Sequence, residues 1–389
     1  MVGKPDHTVP VNRRTALKSV AGGVSAITAT SMIGRGSISK DMVEIVVETG
    51  KINNNEVEIT KPVPKSWYQY EKKVDRTKGA LEDELPDDSA IAGVSLVTNK
   101  NGLTKGGKKT TQLKVTAKDE NEELAQKALD KVPDSKNGIP ITTAVEPPIT
   151  SANTSHEPCV HEVNDMKGGI AIRGDDNNDG NPDGWFSAAC RVSKDNEHIS
   201  NDYLLTCNHG FFDDPCSDNS GKELFYSDGP KYGEIYEYNE KWDWAIIEPC
   251  CESNINPEII HSRWDHPVST NKTRNGLKDM MSNDTAVERV GAASGEIQGT
   301  IQEIDYDVSI YPCLQYPDGV KTNTGGVFGD SGGPIYTESC CYDMLSMVSI
   351  HISSHGDKVF QDCWDRWVDY YDVGSPCWKM NDFDILFHG

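Results

Sequence analysis

After its first forty residues this chain has no run of the roughly 20 apolar residues that a membrane-spanning helix needs, which excludes an integral helical membrane protein. Basic side chains are scarce, with 38 Lys and Arg against 61 Asp and Glu and a formal net charge of −23. Residues 1–40 hold six basic groups and one acidic group, so the remainder carries about −28. Such a surface repels nucleic acid and anionic lipid and excludes both as partners. It suits a halophilic protein, whose acidic surface is screened and stays hydrated in salt. Although there are eleven cysteines, no two are spaced C-x-x-C, which argues against a zinc site. Many cysteines in an exported chain predict several disulfides, and the odd count leaves one thiol over. Cys250-Cys251 and Cys340-Cys341 are adjacent. On a strand their side chains would face opposite ways, so each member is expected to bridge elsewhere.

The N-terminus reads Asn12-Arg13-Arg14-Thr15-Ala16-Leu17-Lys18, followed by a mildly apolar Gly, Ala, Ser and Thr stretch to about Gly34. This is the pattern of a twin-arginine export signal over residues 1–40, without a clean A-x-A cleavage site. The expectation is a soluble, monomeric protein outside the cytoplasm.

Three later segments fit one chemistry. Gly329-Asp330-Ser331-Gly332-Gly333-Pro334 is a glycine-lined turn carrying a serine. Tyr203-Leu204-Leu205-Thr206-Cys207-Asn208-His209 is an apolar strand with an imidazole at its mouth, and Trp242-Asp243-Trp244-Ala245-Ile246-Ile247 opens a strand with a carboxylate. A serine hydroxyl must pass its proton to a base as it attacks a carbonyl. The imidazole base in turn needs a carboxylate to fix its tautomer and offset its charge. Ser331, His209 and Asp243 are the candidates for these roles. A tight turn at Gly329 also aims the backbone N–H groups of Gly329 and Ser331 at one point, as an oxyanion site requires.

The constellation resembles the chymotrypsin-like (trypsin-like) serine peptidases over roughly residues 168–360. Val287, Arg289, Gly291, Ser294, Gly295, Gly299, Thr300 and Ile301 follow V-x-R-x-G-x-x-S-G-x-x-x-G-T-I, similar to the streptogrisin and α-lytic branch. The resemblance implies an all-β fold, a double Greek-key β-barrel with the site in the cleft between barrels. It implies a serine endopeptidase acting on protein or peptide through an acyl-enzyme, without a required cofactor. It also implies an internal ion pair of Arg289 with Asp330, which compensates a carboxylate buried under the nucleophile turn. Where many relatives bridge a cysteine just after the histidine, this chain has Gly210, and a bridge of Cys190 to Cys207 is expected as the substitute. Val327 stands where another common bridge has its cysteine. Gly325 replaces the aspartate of enzymes that cut after Lys or Arg. His351, in Ser-Ile-His-Ile-Ser-Ser, resembles the pocket histidine of glutamyl endopeptidases. Glutamate at the cleaved position, or an apolar residue shaped by Phe328, are the two preferences left open.

Two other readings compete. Gly329 to Gly333 also fits an α/β-hydrolase esterase, but such enzymes place the acid and histidine after the serine, and only 58 residues follow Ser331. A catalytically silent barrel binding peptide or carbohydrate is the other.

Residues 41–150 have a different texture, with strand-like runs at 43–49, 56–60, 111–116 and 141–145 and an amphipathic helix at 119–131. They read as a small N-terminal α+β domain, either a prodomain or an accessory domain, ending at Pro147-Pro148. Residues 151–362 are the expected barrel domain, with a hairpin whose loop holds Asp175, Asn177 and Asp179 before Gly180. These three are candidate calcium ligands, although Phe186 falls where a calcium loop has its bidentate glutamate. Residues 363–389 are the expected C-terminal helix and tail, because Trp364, Trp367 and Tyr371 recur at helical spacing.

Overall fold

The computed structural model describes residues 39–389 except 54, 86–89, 118–121, 147–165, 176–183, 195–201, 212–217, 228, 251–254, 261, 263–265, 311–314 and 362–366. The expected export signal therefore lies outside the described residues, apart from Ser39 and Lys40. No helix among the described residues is long and apolar enough to cross a membrane.

Residues 42–145 form β1 (Met42–Ile52), β2 (Asn55–Pro64), α1 (Lys65–Glu82), β3 (Ile91–Thr98), β4 (Thr104–Lys105), β5 (Lys108–Lys109), β6 (Thr111–Ala117), α2 (Glu122–Leu129), β7 (Ser135–Lys136) and β8 (Ile139–Val145). The sequence pattern missed α1, because its lysines and acids hide a stripe at helical spacing. Trp67, Glu71, Val74, Lys78 and Leu81 are the buried face. The next strands are β9 (Met166–Gly168), β10 (Ala171–Gly174), β11 (Trp185–Ser187), β12 (Cys190–Lys194), β13 (Asp202–Cys207), β14 (Glu223–Tyr226), β15 (Lys231–Asn239), β16 (Trp244–Pro249) and β17 (Ile255–Ile259). The last group is β18 (Val268–Lys272), α3 (Arg274–Ser282), β19 (Ala286–Gly291), β20 (Gly295–Ser309), β21 (Gln315–Thr322), β22 (Pro334–Glu338), β23 (Leu345–Gln361), β24 (Trp367–Pro376), α4 (Cys377–Met380) and β25 (Ile385–Phe387).

One sheet runs β11-β10-β14-β15-β16-β13-β12-β25, and only Ala188 and Ala189 separate β11 from β12, so the sheet curls back toward its own start. In a second sheet β19, β20, β21, β24, β23 and β22 pair in a closed ring of six strands. Both are filled by one continuous core that includes Phe186, Leu204, Ile246, Val290, Tyr336 and Met347. Burial of this core is the main drive toward the closed arrangement.

The N-terminal strands extend the second sheet. β1 pairs antiparallel with β18 and β3 antiparallel with β20, giving one 13-stranded sheet. Residues 367–376 differ from expectation: they are strand β24, not helix. This segment finds partners on both sides, β23 and β21, and paired backbone outweighs the spacing of its aromatics.

Candidate active site

His209 is delivered at the end of β13, where apolar residues 203–205 are buried and the chain leaves the sheet in a single 3-10 turn, His209–Phe211. Phe211 anchors that turn edge-on against Phe186, with ring centroids 5.0 Å apart. Asp243 sits in the left-handed region (φ 51°) just before β16, fully buried. Its Oδ1 accepts the His209 backbone N–H at 2.8 Å and its Oδ2 lies 2.6 Å from His209 Nδ1. Ser331 comes from the other sheet, in the turn before β22. Its Oγ lies 2.8 Å from His209 Nε2. The three side chains thus form one continuous line, Asp243 to His209 to Ser331, across the two sheets.

The turn carrying Ser331 is pinned at close range. Asp330 N–H donates to Val327 O, Gly333 N–H to Asp330 O, Gly332 N–H to His351 O, and Ser187 N–H reaches across to Ser331 O at 2.7 Å. Gly332 has φ +84°, and a Cβ there would stand 2.3 Å from Ser187 O and 2.4 Å from Thr206 Oγ1. Only glycine lets the turn touch the first sheet so closely. Gly329, at φ +102°, directs its carbonyl to Ser187 Oγ at 2.9 Å. Among the described residues no hydrogen bond occupies the backbone N–H of Gly329 or of Ser331.

Beneath the turn, Asp330 is fully buried and lies 2.7 Å from Arg289 Nη1. It also accepts from Val327 N–H (2.9 Å), Ala293 N–H (3.0 Å), Ser294 N–H (2.9 Å) and Ser294 Oγ (2.6 Å). Burial alone would raise its pKa, but the Arg289 charge, then His351 and these donors, hold it below the ordinary aspartate range. Ser294 stands in the sequence motif without an assigned role. In the fold its hydroxyl bridges, accepting from Arg289 Nη2 at 2.6 Å while donating to Asp330.

For His209, burial pushes the pKa down, yet the Asp243 carboxylate 2.6 Å away outweighs it and holds the imidazole well above the usual histidine value.

His351, on β23, is buried, and its Nδ1 lies 2.8 Å from Asp372 Oδ1. The other oxygen of Asp372 lies 3.3 Å from Arg289 Nε and accepts from Thr324 Oγ1 at 3.3 Å. Asp372, unremarked in the sequence because it falls in the segment read as helix, therefore joins His351 to Arg289. The His351 ring packs over Gly326, where a Cβ would stand 2.9 Å from Cε1, and Nε2 faces Ser354 Oγ at 3.5 Å. Gly325 (φ +67°) is buried and Phe328 half-buried in the same segment.

Of the calcium candidates only Asp175 is described. It is buried, and its N–H donates to Glu223 O. Asn177 and Asp179 lie outside the described residues. The Cys190 to Cys207 bridge is not made: both are free, buried thiols. In the antiparallel register Cys190 sits opposite Leu205, which leaves Cys207 two positions off.

A curled half-barrel packed on a closed six-stranded barrel, with histidine and aspartate from the first and serine from the second, makes a recognisable architecture. The fold is the chymotrypsin-like double β-barrel. No family model and no curated protein matches the chain. Solved structures similar to it include Thermobifida fusca protease A, 18% identical over 57% of this chain and 97% of that one, with a TM-score of 0.39. A glutamic acid specific serine protease, described as using a histidine triad in substrate binding, is 19% identical over 57% and 99%, with a TM-score of 0.39. Nocardiopsis protease is 16% identical over 58% and 100%, also at 0.39.

Proposed function

We propose that the protein is an exported serine endopeptidase. The observation that carries this is one imidazole bridging two groups, His209 Nδ1 at 2.6 Å from Asp243 and Nε2 at 2.8 Å from Ser331 Oγ. Ser331 Oγ attacks the peptide carbonyl carbon as its proton passes to His209 Nε2. Negative charge gathers on the carbonyl oxygen, and the N–H groups of Gly329 and Ser331 receive it. His209 then gives its proton to the departing amine, leaving an acyl group on Ser331. Water then attacks the acyl carbon as its proton passes to His209 Nε2, and His209 returns that proton to Ser331 Oγ as the bond to the acyl carbon breaks and the acid leaves. Asp243 holds Nδ1–H throughout and offsets the imidazolium.

His351 makes glutamate the proposed residue on the acyl side of the cut. Asp372 Oδ1 stands 2.8 Å from its Nδ1, and Nε2 lies by Ser354 toward the segment of residues 325–328, where it can donate to a carboxylate. The twin-arginine pattern and the acidic surface supply the export route and a saline setting. Residues 42–146 are proposed to be an integral structural unit of the folded chain, because their strands continue the second barrel's sheet.

A fluorophosphonate probe tests the core of this. Labelling at Ser331 that vanishes in His209→Ala is the expected result. Labelling that is absent from the wild-type chain, or unchanged in the variant, sinks the proposal. Turnover of casein as well as short esters separates a peptidase from an esterase, and a peptide library in molar salt reads the preference for glutamate.

A further inference from the structure

After β22 the chain bends through residues 339–343 before entering β23, closed by a hydrogen bond from Ser339 N–H to Met344 O at 2.9 Å. Cys340 and Cys341 therefore do not lie on a strand, and their side chains do not diverge. Their sulfurs stand 2.9 Å apart, and both residues are exposed. That gap is only about 0.9 Å longer than a disulfide bond of about 2.05 Å. The bend is also held from behind. Ser339 Oγ donates to Glu48 Oε2 at 2.7 Å and Cys340 N–H to Glu48 Oε1 at 3.2 Å, while Glu48 itself is buried against Lys272. Cys340 further lines a cavity of about 470 Å³ between β1 and the second barrel, while the exposed Cys341 lies outside that lining.

We propose that Cys340 and Cys341 form a redox site that closes into a vicinal disulfide, with a small-molecule disulfide as the oxidant. Although Cys340 is exposed as a residue, its sulfur is partly desolvated, and this, with the contact to Cys341, pushes the thiol up to about 12, so the outward Cys341 makes the first attack. Cys341 Sγ bonds to one sulfur of the small disulfide, whose S–S bond breaks and releases one thiolate. Cys340 Sγ then attacks Cys341 Sγ, forming the Cys340–Cys341 bond and expelling the second thiolate. The two cysteine protons end on the two departing thiols. The protein loses two electrons and two hydrogens, and the small disulfide is reduced to two thiols.

The sequence makes the test clean. Cleavage after Lys321 and Lys358 releases a peptide whose only cysteines are Cys340 and Cys341. The full-length protein is incubated with oxidised glutathione, blocked with N-ethylmaleimide in acid, digested and weighed without reduction. The expected product is that peptide alone, lighter by two hydrogens, unalkylated, and accepting two alkyl groups after reduction. Before oxidation the native protein should bind phenylarsine oxide at this peptide, one arsenic bridging two thiols, and Cys341→Ser should abolish both results. Recovery of the peptide joined to another cysteine peptide, carrying glutathione, or still fully alkylated while other cysteines oxidise would overturn the proposal.

Discussion

A histidine that must accept a proton works only when it is neutral, and the Asp243 carboxylate favours its charged form. With the His209 pKa held well above 6.5, the acid limb of activity should lie above pH 6.5, rate rising with pH as the imidazolium loses its proton. Asp243→Asn removes that field, so the limb should move down while the rate falls by about 10⁴, since the tautomer is no longer enforced. A profile of kcat/KM against pH on a peptide ester checks both, and an acid limb below 6.5 in the wild-type protein refutes the first. Asp372 allows a separate prediction. Asp372→Asn withdraws the negative partner of His351 but leaves Arg289 paired with Asp330. KM for a glutamyl substrate should rise about tenfold, roughly 1.4 kcal/mol of binding, with fluorophosphonate labelling of Ser331 retained. An equal loss on substrates lacking an acidic side chain would place the effect in the nucleophile turn instead.

At the scale of elements, the site depends on how closely one turn meets the opposing sheet. Gly332→Ala meets two obstacles, a left-handed φ and a Cβ 2.3 Å from Ser187 O. Strain and overpacking together should cost about 3 kcal/mol. Thermal unfolding should show the loss, and Ser331 labelling should slow as the turn is pushed off His209. An unchanged melting temperature would mean that the two sheets can separate freely. The same locality explains what the sequence reveals. His209, Asp243 and Ser331 each end or open a short apolar strand, so the residues proposed to carry chemistry are flagged by neighbours in the chain. Asp372 has no such flag, because its partners come from distant parts of the chain, His351 from β23, Arg289 from β19 and Thr324 from the bend after β21. β24 was hidden for a related reason: what makes it a strand is pairing with β23 and β21, which no local spacing records. Cys340 and Cys341 read as divergent only if a strand is assumed, and the bend that brings them together follows from closing β22 onto β23.

For the whole molecule, the question is what ties residues 42–146 to the barrels. Two strand pairings do so, and charge reinforces them. Lys61 lies 2.7 Å from Asp279, Arg274 lies 2.9 Å from Asp75, Lys114 lies 2.6 Å from Glu303, Lys321 lies 3.2 Å from Glu146, and Lys272 meets the buried Glu48. For Glu146 burial opposes ionisation, but Lys321 and Lys114 overcome it and bring the pKa to about 2. Glu48, Asp75, Asp279 and Asp305 are likewise held below their ordinary values by their cationic partners, against the cost of burial. Carboxylates with depressed folded pKa values stabilise above their unfolded pKa and lose that contribution as pH falls through the folded one. Glu71 works the other way: its desolvation raises the pKa, so acid relieves a cost there, one group against five. If the chain is nicked within residues 147–165, the two pieces should stay together on a sizing column at pH 7. They should separate as the pH is lowered from about 4.5 toward 2. Molar salt at pH 7 should not release them, because these pairs are mostly buried and ionic screening acts chiefly on exposed charges. Separation in salt at neutral pH would mean that the joint is a surface contact, and persistence at pH 2 would mean that the strand pairings hold it without the charges.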